Sequence, residues 1–387
     1  MGAVALDASV RFGTTAEQLS TLAVLQLLFY AVMQIPVGLL LDRFGSRRLL
    51  AAGAILMALG QIVVALSVDL PGAVLGRVLV GIGDACTFIS MIRMSNSWFS
   101  GKQASNLQQW FATIGQTGQI LSAVPFAFLL HETSWEQAFL TAAAITALVG
   151  ALVWLFSREN PAIVRDRSVQ LKDVVARLKR NSRKPITWLA FFTHFTTQST
   201  GTSFALLWGV PFMVSALSLP LATAGSMLTL FVITNMSMGP VIGWFCGRWP
   251  QFRHVLIFSI IGSIILVWGL VLLNPNPTPF WMLIVLVMTI GVGGPASMVA
   301  FDYSKEAFVP SELGATNGLI NVGGFLAALV MMWIVGVALD ALPGPVLYSF
   351  EHFRIAFALQ LVVTLFGLLG LVWSLRAQRN KRPRVLV

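Results

Sequence analysis

Two charged side chains, Arg77 and Asp84, stand seven residues apart inside an otherwise apolar run that reads GRVLVGIGDACTF. On a helix that spacing is two turns, which puts both groups on one face about 10 Å apart along the axis. Their chemistries are complementary. A guanidinium keeps its charge and offers a planar fork of donors to a carboxylate or other anion. A carboxylate among apolar neighbours can take up and release a proton. Leaving a charge at mid-bilayer costs roughly 3 kcal/mol or more, so such groups face a wet cavity or a partner. The bland alternative is that the two bind each other, or adjacent helices, and only lock the bundle.

A second polar concentration, THFTTQSTGTS from Thr193 to Ser203, interrupts another apolar run. Such a density of hydroxyls with Gly201 can loosen a helix or line a cavity, and it can equally serve as interhelical glue. His194 and Gln198, four apart, share a face. An imidazole can carry a proton near neutral pH, although a lone histidine is also a common hydrogen-bonded packing residue. Further neutral hydrogen-bonding groups for a polar ligand are Tyr30 and Gln34, Gln109 and Gln116, and the pair Asn317 and Asn321, again four apart. Each could instead satisfy a neighbour between helices.

Long apolar segments must position these groups. Of the 387 residues 57% are hydrophobic and only 10% charged, with a mean hydropathy of +0.81, whereas soluble domains carry about 25% charged residues. This is the composition of a polytopic membrane protein. Eleven runs are long enough to span: Leu19 to Leu41, Leu49 to Leu66, Gly72 to Ser95, Leu107 to Leu130, Ala138 to Phe156, Ile186 to Val210, Leu221 to Phe245, Val255 to Leu273, Phe280 to Phe301, Gly314 to Leu339 and Ile355 to Leu375. All are expected to be helices, because backbone groups in hydrocarbon must be satisfied within the segment. Trp98, Trp135, Trp188, Trp281 and Trp373 lie near span ends and read as interfacial anchors.

The net charge of +10 raises the question of nucleic acid. The Lys and Arg residues, however, sit almost wholly in alternate loops and the tail, where they act as topology signals, and no nucleic-acid partner is expected. By that bias the chain is a multi-pass plasma (inner) membrane protein with a cytoplasmic C-terminus. The stretch 157–185 holds nine Lys/Arg and an apolar spacing at Leu171, Val174, Val175 and Leu178, which predicts an amphipathic surface helix. Four parts follow: an N-terminal bundle 1–157, a basic linker 158–185, a C-terminal bundle 186–375 and a basic tail 376–387.

The hairpin GLLLDRFGSRR, Gly38 to Arg48, recurs in faded form 205 positions later as GWFCGRWPQFR, Gly243 to Arg253. The chain is therefore read as two related halves. Under the same offset Met1 falls opposite Leu206, so a first span ahead of Met1 is expected to be missing from this sequence.

The first hairpin, with Gly38, Asp42, Arg43, Gly45, Arg47 and Arg48 in the pattern G-x-x-x-D-R-x-G-x-[RK]-[RK], resembles the loop motif of the major facilitator superfamily. In the second copy Gly247 replaces the aspartate. The resemblance covers nearly the whole chain and implies an all-α fold of two pseudo-symmetric bundles, with eleven of twelve helices present here, rocking about a central site. It implies that the hairpin is a conformational latch, with Asp42 at the positive N-terminus of a helix near Gly314 and the arginines on carboxylates or lipid headgroups. The run Arg77, Gly81, Asp84, Ala85 is similar to the R-x3-G-x2-E-A pattern of the superfamily's organic anion to cation symporters, with Asp for Glu. By that likeness Arg77 contacts an anionic substrate and Asp84 exchanges the proton. The glycine and proline pattern of drug antiporters is absent, and so are the arginines that nitrate carriers use in the second and eighth spans.

The reading is a proton-coupled secondary transporter of a small organic solute, expected to be anionic, acting as a monomer among membrane lipids. It needs no cofactor or metal, is not an enzyme, and lacks the G-x4-G-K-[ST] signature of ATP use. The rivals are a proton-driven exporter or facilitator of drugs or metabolites, and a transport-inactive membrane sensor.

Overall fold

In a computed structural model the described residues are 11–12, 16–123, 125–161, 171–274, 277–342 and 349–380. The expected Met1 to Leu6 turn, most of the tail and residues 162–170 of the linker lie outside them. The main helices, in chain order, are α1 (Ala16–Phe44), α2 (Ser46–Leu66), α3 (Leu70–Trp98), α4 (Gly101–Ala123), α5 (Pro125–Glu132), α6 (Trp135–Phe156), α7 (Leu171–Asn181), α8 (Pro185–Ser203), α9 (Leu221–Arg248), α10 (Arg253–Leu273), α11 (Phe280–Gly291), α12 (Gly293–Ser297), α13 (Val299–Ala307), α14 (Leu313–Ala341) and α15 (Phe350–Asn380).

Local chemistry sets several of these ends. Asp69 caps α3 by accepting the Gly72 N–H at 2.9 Å, with Pro71 in the first turn, where its missing N–H costs nothing. Ser134 caps α6 through the Gln137 N–H at 3.2 Å. Each helix that leads into a basic hairpin contains one proline, Pro36 in α1 and Pro240 in α9. Helix α8 does not end where its polar run ends. It continues as two π-turns, Phe204–Trp208 and Phe212–Ala216, flanking Gly209–Pro211. Pro211 has no N–H to offer the α-helical ladder, and the wider turns restore pairing, as in Leu217 N–H to Phe212 O at 3.2 Å. The expected end at Val210 therefore lies within the helix rather than at its boundary.

Among the described residues nine segments are long and apolar enough to cross a membrane, so the chain is a multi-pass membrane protein. The other two runs read as spans are helical as well, yet more polar: α4, which carries five glutamines, and α8 with its threonines.

The chain forms two compact units. The first comprises 1–100, 114–180 and 308–319; the second comprises 101–113, 181–307 and 320–387. In the first, Trp135 belongs to a core with Val64, Ala65, Ala73, Ala138 and Phe139, and its indole N–H donates to Val64 O at 3.0 Å. It is a packing residue, not the interfacial anchor its position suggested. On α7, Val174 is buried and Val175 is 46% exposed. In the second unit Phe204, Phe212, Trp268, Phe353 and Phe357 interlock, with Trp268 and Phe357 centroids 4.9 Å apart. Such aromatic pairs add about 0.5–1.5 kcal/mol beyond area burial. Leu155, Phe156, Leu270 and Phe366 point outward, as lipid-facing side chains do.

Candidate functional site

Asp84 stands at the midpoint of α3, as far as a residue of that helix can be from either end. Its side chain is half-buried, while Arg77, two turns earlier, is buried. Among the described residues the two form no ion pair with each other, and neither has a carboxylate or cationic partner within 4 Å. The Arg77 guanidinium instead lies over the Phe139 ring, 5.6 Å from its centroid, and its Nε donor is unsatisfied. A ring face attracts a cation and orients the fork without neutralising it. The helix thus presents a fixed positive charge and an unpaired carboxyl on one face.

The hairpin between α1 and α2 is built around Gly45, whose φ of 83° and ψ of 171° only glycine adopts without strain. Asp42, in the last turn of α1, accepts backbone N–H bonds from Gly314 to Oδ1 at 2.8 Å and from Ala315 to Oδ2 at 2.9 Å. These are first-turn donors of α14 with no partner inside their own helix. The helices approach closely here, since a Cβ on Gly38 would sit 2.6 Å from Gly314 O. Arg47 donates its side chain to Trp154 O and its backbone N–H to Glu159 Oε1 at 2.8 Å, with the guanidinium 4.5 Å from the Trp154 ring centre. Arg43 and Arg48 are exposed, Arg43 lying over Phe44.

Sequence reading missed Arg93, which completes this cluster. It is 5% exposed, with its Nε 3.8 Å from Asp42 Oδ1, and it donates to Leu41 O at 2.8 Å and to Pro310 O at 3.3 Å. One side chain therefore ties the end of α1 to the turn before α14.

The remaining candidates divide between the units. In the first, Gln34 is fully buried and donates to Tyr30 O at 3.2 Å, leaving its Oε1 unsatisfied. Asn317 is buried, and Gln116 is half-buried. In the second, Gln109 donates to Pro295 O at 3.0 Å. His194 and Gln198 meet at Ser297: His194 Nδ1 is 3.3 Å from its carbonyl, and its hydroxyl is 3.4 Å from Gln198 Oε1. Asn321 is buried in the same unit. Thr193, Thr196 and Thr197 return their hydroxyls to carbonyls four residues back, at 2.7–2.8 Å. This is the packing pattern rather than the cavity-lining one, and His194, 1% exposed and edge-on to Phe301, shares it.

A second ionic cluster also escaped the sequence reading. Arg253, in the faded hairpin copy, lies 3.9 Å from Asp302 Oδ2 and donates to Glu306 Oε1 at 2.6 Å. Asp302 Oδ1 accepts from Ser105 Oγ at 2.6 Å and Lys305 Nζ at 3.2 Å. The carboxylate missing from the second hairpin is thus supplied by α13. The only sequence signal was the unexplained acid pair four apart on one helix. Among the described residues no group of three His, Cys, Asp or Glu could hold a metal ion.

Among the described residues, nine helices long and apolar enough to span, with the polar helix α4 among them in sequence, make this a polytopic membrane protein. The family pattern described as Major Facilitator Superfamily matches residues 1–330 and, again, 199–386. The chain belongs to that superfamily, whose members carry small solutes. It is 24% identical over 374 residues to the hexuronate transporter of Escherichia coli (strain K12), covering 89% of this chain and 82% of that one. It is 25% identical over 327 residues to the probable nitrate/nitrite transporter NarK2 of Mycobacterium tuberculosis (strain ATCC 25618 / H37Rv), covering 82% and 80%. A solved superfamily transporter, FucP in the outward conformation, shares the fold with a TM-score of 0.68 and 15% identity, over 95% of each chain.

Proposed function

We propose that the protein is a secondary transporter of a small organic anion, driven by protons and working by alternating access. The observation that carries this reading is the unpaired state of Arg77 and Asp84 on one face of α3. A buried guanidinium with an unsatisfied donor is costly unless something anionic visits it. The Phe139 ring holds the fork in place for that visitor. Asp84, half-buried and unpaired, can cycle between carboxyl and carboxylate without breaking a structural ion pair. The names of the relatives support the charge of the solute, since hexuronate and nitrate are both anions. The polar run of α8 carries no proton in this scheme.

The test uses liposomes holding the purified protein, an imposed pH gradient and a labelled hexuronate as the first probe. Asp84→Asn should abolish uphill accumulation while sparing counterflow exchange. Uphill uptake that survives that substitution intact would remove the coupling role of Asp84.

A further inference from the structure

Helices α8 and α15 leave between them a groove of about 420 Å³ lined by Trp188, Phe192, Phe366, Leu369, Gly370 and Trp373, all apolar in what they present. Its floor is where Gly370 meets Phe192: a Cβ at 370 would lie 2.5 Å from the phenyl ring, so only glycine lets that ring reach the α15 backbone. Phe366 stands edge-on to Phe192 with centroids 5.9 Å apart, and Leu369 and Trp373 rise as an open wall, 69% and 55% exposed. From 366 to 373 the wall runs about 10 Å along the helix. A slot of this depth and character fits a hydrocarbon chain.

One end of the groove is charged. Trp188 donates its indole N–H to Ser182 O at 2.8 Å, which holds the turn bearing Arg183 and Lys184 at the start of α8. On α15 the stripe that carries Phe366, Leu369 and Trp373 continues at the same spacing to Arg376, and Arg379 follows one turn further on, rotated to its side. Arg183, Arg376 and Arg379 are exposed. Because α8 begins where α15 ends, both stripes pass from aromatic to cationic in the same sense. Two indoles at that transition match the headgroup level of a bilayer.

We propose that this groove is a binding site for an anionic phospholipid, with one acyl chain in the aromatic slot and the phosphate and headgroup on the Arg183, Arg376 and Arg379 rim. Charge complementarity selects the headgroup, since basic residues at a membrane surface attract anionic lipids. The slot alone would accept the chain of any lipid.

The experiment is native mass spectrometry of the full-length protein with dioleoyl phosphatidylglycerol or dioleoyl phosphatidylcholine. The wild type should bind the first about tenfold more tightly, a difference that Arg183→Gln, Arg376→Gln and Arg379→Gln together should erase by lowering only phosphatidylglycerol affinity. These are surface changes that leave the fold in place. Phe366→Ala, which opens the slot, should weaken both lipids. Equal affinity of the wild type for the two lipids, or full phosphatidylglycerol binding by the triple variant, overturns the site.

Discussion

Asp42 and Gly314 are 272 positions apart in the chain, yet the carboxylate of one accepts the backbone N–H of the other at 2.8 Å. The bond joins the basic hairpin to the first turn of a helix that has donors to spare, and the opposite charge of Arg93 lies 3.8 Å away. Hydrogen bonds to a charged group contribute about 1.5–3 kcal/mol each when they replace unmet donors.

Removing that carboxylate should therefore loosen the whole cluster. Asp42→Ala leaves two helix N–H groups without their acceptor and the buried Arg93 without its counter-charge, and should destabilise the protein by about 3–5 kcal/mol. Asp42→Asn keeps an acceptor of the same shape and should cost less, about 1–3 kcal/mol. Thermal unfolding of the purified protein measures both. Equal melting temperatures for Asp42→Ala and wild type would mean that the bonds contribute nothing.

Gly45 is the second point of leverage in the same hairpin. Its φ of 83° with ψ of 171° lies where a side chain clashes, so Gly45→Ala should cost about 1–3 kcal/mol. Replacing the nearby exposed Arg48 by Gln changes no contact of the structure and serves as the control. A Gly45→Ala protein as stable as that control would show that the turn can relax.

Arg77→Lys separates charge from shape. Lysine keeps the positive charge but loses the planar fork and its seat over Phe139. Half-saturation for an anionic solute should rise about tenfold, equivalent to about 1.4 kcal/mol, with a smaller change in maximal rate. A half-saturation value that stays at the wild-type level would remove Arg77 from the binding step.

In the second unit, Asp302 and Glu306 both pair with Arg253 but differ in surroundings. The Asp302 side chain is 5% exposed and that of Glu306 55%. Asp302→Ala removes the buried carboxylate from Arg253, Ser105 and Lys305 together and should cost about 3–5 kcal/mol. Glu306→Ala should cost under about 1 kcal/mol, because water screens that pair. Comparable losses for the two variants in chemical unfolding would contradict this ordering.

Several of these relationships were legible from the sequence, and the reasons are local. The place of Asp42 against Gly314 could be read because the hairpin resembles a loop motif whose aspartate meets a helix N-terminus. Arg93 could not be read, since an arginine in the last third of an apolar run looks like an end-of-span anchor. Asp302 was hidden for a similar reason: it reads as a boundary residue of its span, and its partner Ser105 is 197 positions away. The π-turns after Ser203 had only Pro211 to signal them, because an all-apolar stretch such as FALLWGVPFMV has no periodic phase from which a shift could be noticed. The hydroxyl-rich stretch of α8 was ambiguous by nature. Whether a threonine faces its own helix or a cavity depends on a rotamer that composition does not encode.

Because the acid that answers Arg253 rides on α13, the two hairpin copies have ceased to be interchangeable parts. Gly247 now leaves room for Lys102, whose stem would come within 3.2 Å of a Cβ placed there. An aspartate at that position would crowd the lysine and duplicate a charge already provided elsewhere. The two copies thus hold their arginines by separate means: Arg93 answers the acid of the first hairpin itself, Arg253 two acids on another helix.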